Sequence, residues 1–260
     1  MQSADLFLLE PGMPLPQGTV LAGDSNARAN MDDTAPVPNF GQGNRPDMYC
    51  PEIYMREAID FSSFWQYAGS LDEQYRNEIP YWCIVWPGSR MLARFALDTE
   101  LELKDLRVLE LGCGSGLAAV AFAKMGSDVI ATDHDSQALK VTLAMARRNG
   151  VQLKTDDLEL FDTPESVLPR HSPDIVILGD LFYESSVAER ARLWCISAQE
   201  MGAMCIVADP CRTYGPRKAP EKWGLEHFAE AAVPVHQAIE NVKSRHTALL
   251  MSAQSDLKVQ

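Results

Sequence analysis

The sequence predicts an α/β protein built on a doubly wound, mostly parallel sheet, and three observations carry that expectation. Apolar runs of strand length alternate with helix-length segments from residue 106 onward. The first run feeds a glycine-rich turn, Gly112-Cys113-Gly114-Ser115-Gly116, which opens a helix. The second run ends on an acid, Asp133, 17 residues beyond Gly116. Sheets of this kind bind ligands outside the carboxyl ends of their strands. The glycine turn and Asp133 therefore mark where a ligand belongs.

Each element has its own justification. Residues 1–49 hold six of the 16 prolines and five of the 16 glycines and show no sustained periodicity. They read as an extended arm with one compact apolar patch, Leu6-Phe7-Leu8-Leu9. Residues 50–79 read as a helical N-terminal cap, because Ile53, Ala58, Ile59, Phe61, Phe64, Trp65 and Ala68 fall roughly on one face. Such a cap either covers the sheet or closes over a substrate cleft. Residues 80–260 form the main domain. It begins with Pro80-Tyr81-Trp82-Cys83-Ile84-Val85-Trp86-Pro87-Gly88-Ser89-Arg90, where Pro87 suits a helix start.

The run Leu106–Leu111 is a buried strand and Leu117–Lys124 a helix; Val129–Asp133 is the next strand. A helix over 136–149 follows, with Ser136 as N-cap and Gly150 as the glycine that ends it. Residues 153–160 make a short strand, 174–180 the clearest buried strand, 186–201 a helix and 204–210 another buried strand. Residues 233–239 and 247–252 read as late strands able to pair antiparallel. The sum is a Rossmann-like, doubly wound, mostly parallel seven-stranded sheet with an antiparallel last strand.

Composition narrows the function classes. A formal net charge of −13, from 36 acids against 23 bases, argues against nucleic acid as the main partner, since phosphate binding needs a basic face. Six cysteines show no C-x-x-C and no zinc spacing, which reads as a reduced, cytoplasmic protein without a structural metal. No apolar run reaches membrane-spanning length, and Met1–Leu9 lacks the basic start of a signal peptide.

The glycine spacing discriminates between ligands. A dinucleotide site wants G-x-G-x-x-G, but the third position here is Leu117 and the glycine comes one residue early. Glu110, at the end of the strand, would repel a pyrophosphate and suits a ligand carrying positive charge. The pattern Glu110-x-Gly112-x-Gly114-x-Gly116 resembles motif I of the class I S-adenosylmethionine (SAM) methyltransferases. Three further segments sharpen the resemblance: the Trp86-Pro87-Gly88 loop, Gly179-Asp180-Leu181-Phe182-Tyr183, and Asp209-Pro210-Cys211-Arg212. Taken in order, from about residue 51 to 251, they resemble the seven-β-strand lysine methyltransferases. Within these, the similarity is to bacterial relatives of the enzyme that methylates the electron-transfer flavoprotein β subunit. The chain departs from that pattern at Ala208 and Cys211, at Ser89, and in His246-Thr247-Ala248-Leu249-Leu250. These positions border the substrate side, so they bear on the substrate more than on the cofactor.

The resemblance implies SAM as cofactor, with Glu110, Gly112, Gly114 and Gly116 facing its methionine part and Asp133 its ribose. Asp157 with Leu158 would border the adenine, although Asp156 or Asp162 could serve instead. Trp86 and Gly88 would touch the cofactor from the preceding loop, unless Trp86 is a core residue. Asp180 stands at both the cofactor and the acceptor, as the carboxylate that holds the incoming amine; its competing role is a helix N-cap. Tyr183 would orient the amine, or else pack in the core. Arg212 either binds a substrate carboxylate or pairs with Asp209. The implied partner is a protein presenting a lysine. A small-molecule amine or hydroxyl is the alternative acceptor, and a SAM-binding protein that no longer methylates is a third possibility.

Overall fold

The computed structural model describes residues 45–253 apart from 59 and 72. The arm's first 44 residues, including Leu6–Leu9, lie outside the described residues, as does Ile59. The arm's end belongs to the body. Strand β1 (Arg45–Pro46) pairs antiparallel with β2 (Tyr54–Met55). Among the described residues, helix α1 (Phe61–Leu71) and a 3₁₀ turn over Glu73–Arg76 are the only helical parts of the expected cap.

The main domain then alternates. It runs α2 (Pro87–Asp98), β3 (Arg107–Leu111), α3 (Leu117–Lys124), β4 (Asp128–Asp133), α4 (Ser136–Arg148) and β5 (Lys154–Asp157). It continues with α5 (Pro164–His171), β6 (Ile175–Gly179), α6 (Ser185–Glu200), β7 (Met204–Asp209), β8 (Leu225–Pro234), α7 (Gln237–Glu240) and β9 (Ser244–Ser252). The sheet order is β5-β4-β3-β6-β7-β9-β8. Strands β3 to β7 are parallel, and β9 inserts antiparallel between β7 and β8. Strand order reverses between β3 and β6, the topological switch where such sheets bind ligands.

Alternation along the strands divides the core between two faces. Val108, Ile175, Ile177 and Ile206 pack under α2, α3 and α4. Leu109, Leu111, Val176, Leu178 and Val207 pack under α5 and α6. Because β6 and β7 are covered on both faces, they read as unbroken apolar runs in the sequence.

Four expectations need correction. The strand expected at 233–239 is instead β8 over 225–234, followed by the single turn α7. Strand β8 is an edge strand in which only Leu225, Ala231 and Val233 are buried, so its apolar signal is thin. Strand β5, the other edge, covers only 154–157 of the expected 153–160. Helix α5 was not expected; it is short, begins on Pro164 and contains Pro169. Helix α4 is capped by Asp135, not Ser136, through the Gln137 N–H.

Candidate active site

The glycine turn uses its lack of side chains in a specific way. Gly116 has φ +82° and a Cβ there would lie 2.9 Å from the Thr142 Cα, so the start of α3 can approach α4 only with glycine. At Gly114 a Cβ would meet nothing closer than 3.9 Å, which leaves its open side to a ligand. The Gly114 N–H donates to Asp133 Oδ2 at 2.9 Å, and the Asp135 N–H donates to Oδ1 at 3.0 Å. Burial pushes the Asp133 carboxyl up, while these two N–H groups pull it back towards the ionised form. Each oxygen keeps a second lone pair, which is what a pair of vicinal hydroxyls needs.

A cavity of about 580 Å³ opens here, at the carboxyl ends of β3, β4 and β6. Its wall includes Trp86, Gly112, Gly114, Asp133, Leu158, Asp180 and Tyr183 from the sequence expectations. Gly88, Glu110, Gly116 and Asp157 stand elsewhere. Gly88 lies behind Asp180 and gives it an N–H at 2.5 Å; a Cβ at Gly88 would sit 2.6 Å from the same carboxylate. Gly116 backs onto α4. Asp157 is exposed, the alternation of β5 turning it away from the face that continues into Leu158.

Glu110 is buried behind the wall, near the N-terminus of α3. The Ala119 N–H bonds to its carboxyl, and Oε2 has no partner. Burial raises it to about 8, and a positive charge nearby would favour its ionised form. An unpartnered buried carboxyl oxygen beside a glycine cradle fits a cationic ligand.

Sequence reasoning missed the residues that close the cavity. Asp135 accepts the Tyr75 hydroxyl at 2.8 Å and the Trp82 Nε1–H at 2.8 Å. It thereby ties the 73–83 segment to α4, and Asn77, Glu78, Ile79, Tyr81 and Trp82 become one wall. The signal was the Tyr81-Trp82 pair next to the Trp86 loop. Its partner Asp135 lies 53 residues from Trp82 and carries no local mark.

From Tyr81 onward the wall is aromatic and ionic. The Tyr81 ring lies 5.6 Å from Tyr183 and 6.0 Å from Trp86. Tyr183 is 43% exposed, so it is a rim residue and not a core one. Burial, with Tyr81 and Glu184 nearby, pushes its hydroxyl up to about 12, so it stays a neutral hydrogen-bonding group. Trp86 donates its Nε1–H to the Tyr81 carbonyl at 2.8 Å. Asp180 does not cap a helix, since α6 begins at Ser185. Its Oδ1 accepts from Arg212 Nε at 2.9 Å and Nη2 at 2.7 Å. Burial raises the Asp180 carboxyl and Arg212 opposes that rise. Asp209 instead accepts the backbone N–H groups of Arg212, at 2.9 Å, and Arg217, at 3.1 Å.

The sequence and the fold have known counterparts. A family model described as "Lysine methyltransferase" matches residues 70–198. The electron transfer flavoprotein beta subunit lysine methyltransferase of Xenopus laevis is 33% identical over 173 residues, covering 64% of this chain and 65% of that protein. The protein of the same name from Rattus norvegicus is 29% identical over 214 residues, covering 80% and 78%. These matches support a SAM-dependent methyltransferase of the class I type. A Streptococcus mutans structure provisionally assigned to the SAM-dependent methyltransferases shares the fold at 13% identity, with a TM-score of 0.51 over 65% of this chain and 50% of that one. SAM is the cofactor of this methyltransferase, and the glycine turn, Asp133 and Glu110 are suited to a ligand with vicinal hydroxyls and positive charge. No helix among the described residues is long and apolar enough to cross a membrane.

Proposed function

We propose that the chain methylates a lysine side chain of a protein, with Asp180 and Tyr183 at the acceptor nitrogen. The observation that carries this is the position of Asp180. Its carboxylate joins the cofactor side of the cavity, at Gly112 and Asp133, to the exposed rim of Tyr81, Trp86 and Tyr183. SAM, when bound, supplies a methyl group already activated by its sulfonium. What remains for the protein is alignment and a free lone pair on the acceptor. A lysine amine has a pKa of about 10.4 and arrives protonated. Asp180 accepts its N–H, Tyr183 fixes its orientation, and the open mouth leaves a path for the proton to water. Asp133 holds the ribose hydroxyls, with Gly114 giving close approach and Leu158 an apolar surface for the adenine. The names of the similar frog and rat proteins make the electron-transfer flavoprotein β subunit the first acceptor to try.

The test is incubation with methyl-labelled SAM and, separately, that subunit and a cell lysate split into protein and small-molecule fractions. Label in protein, mapped to lysine, is the expected result. Label only in the small-molecule fraction would replace this reading with metabolite methylation. No label despite SAM binding would point to a protein that no longer methylates.

A further inference from the structure

A bare carboxylate at the acceptor end of the cavity would bind lysine as an ammonium, and an ammonium has no lone pair with which to attack. The surroundings of Asp180 avoid that outcome. Arg212 places two N–H groups on Oδ1, and Gly88 places one on Oδ2. Arg212 Nη2 also donates to Glu240 Oε1 at 2.9 Å, and Arg245 Nε donates to Glu240 Oε2 at 2.7 Å. Two carboxylates and two guanidiniums thus form a neutral set, with Asp180, Arg212 and Glu240 only 11%, 19% and 6% exposed at their side chains. Arg212 further sits 5.7 Å from the Trp86 ring centroid, so one face of that ring already holds a cation.

We propose that Arg212 is a positioning residue that keeps Asp180 charge-compensated, so that the acceptor nitrogen is held there as the neutral amine. This rests on the lysine reading and deepens it. Asp180 retains lone pairs to accept an amine N–H. The guanidinium beside it disfavours a second cation, and partial burial strengthens that effect. The ammonium proton leaves to solvent as the side chain enters. The other groups facing this point do not cancel the effect. Tyr81 and Tyr183 are neutral phenols at neutral pH. Asp209 is engaged by the backbone N–H groups of Arg212 and Arg217. Glu184 acts on the two tyrosines and is not part of the cavity wall, and Asp133 lies on the cofactor side.

The test is calorimetry in buffers of different ionisation enthalpy, which counts protons exchanged on binding. The probe is a peptide carrying the lysine mapped by labelling, added with S-adenosylhomocysteine in the cavity. The wild-type chain should release a proton at pH 8.5. Arg212→Gln should bind the peptide more tightly and release little, while Arg212→Lys should restore release. In single-turnover transfer, the acidic limb of the rate should lie below the free-lysine value of about 10.4 in the wild type. It should move up by about one pH unit or more in Arg212→Gln. A role in folding alone would lower the rate equally at every pH. Peptide binding by the wild type without proton release overturns the proposal, whether or not Arg212→Gln folds. Equal release by the two proteins overturns it as well. If no lysine is labelled at all, the lysine reading itself fails, and that outcome is visible before any peptide is made.

Discussion

Gly116, Asp133 and Asp180 each do one physical job, and each can be probed alone. Gly116→Ala puts a side chain into a left-handed turn and against the Thr142 backbone. It should cost about 2–4 kcal/mol, read as a drop in melting temperature of roughly 5–15 °C. Asp133→Ala removes the acceptor for the ribose hydroxyls. SAM binding should weaken by roughly tenfold or more, as calorimetry would register, since hydrogen bonds to a charged group are worth about 1.5–3 kcal/mol. An unchanged dissociation constant would remove the ribose assignment. Asp180→Asn should abolish transfer while leaving SAM affinity nearly intact; loss of SAM binding in that variant contradicts the role given to it. At this scale the sequence was informative wherever chemistry is local. The glycine spacing and the acid ending β4 lie within one strand–helix–strand unit and could be read directly. The bond from Gly88 to Asp180 spans 92 residues, and the one from Arg212 to Asp180 spans 32. Nothing in either neighbourhood announces them.

Among the elements, α2 shows how the site loop is braced. Its Arg90 is fully buried, with Nε on Asp47 at 2.9 Å, Nη2 on Glu57 at 2.8 Å and Nη1 on the Val85 carbonyl at 2.7 Å. Glu57 also accepts the Val85 N–H at 3.0 Å and pairs with His236 at 2.9 Å. The segment before α1, the start of α2 and the loop after β8 are thus held at one point, two residues from Gly88. Arg90→Met strands two buried carboxylates and should cost about 3–5 kcal/mol in a denaturant titration. Burial alone would raise Glu57, but His236, Arg90 and the Val85 N–H outweigh it and hold the carboxyl at about 2. An acid depressed in the folded state stabilises above its unfolded pKa, about 4.3, and that stability is lost as pH falls towards 2. Melting temperature followed over that range should fall less steeply in Glu57→Gln than in the wild type. None of this cluster was legible beforehand, because residues 45–49 have the composition of an arm and Arg90 lies 43 residues from Asp47 and 33 from Glu57. The central strands were legible because burial on both faces writes an apolar run. The bounds of edge strands β5 and β8 were not, because charged residues and alanines blur their alternation.

For the whole molecule, the sheet order places Gly112, Asp133 and Asp180 at neighbouring strand ends, at the switch between β3 and β6. The net charge of −13 is consistent with a basic acceptor, though solubility explains most of it. The measurement that bears most directly on lysine methylation is complete hydrolysis of the protein fraction after incubation with methyl-labelled SAM, followed by amino-acid analysis. The expected result is label in N-methylated lysine, present with the wild-type chain and absent with Asp180→Asn. Label in another amino acid, or equal labelling by the two proteins, would contradict it.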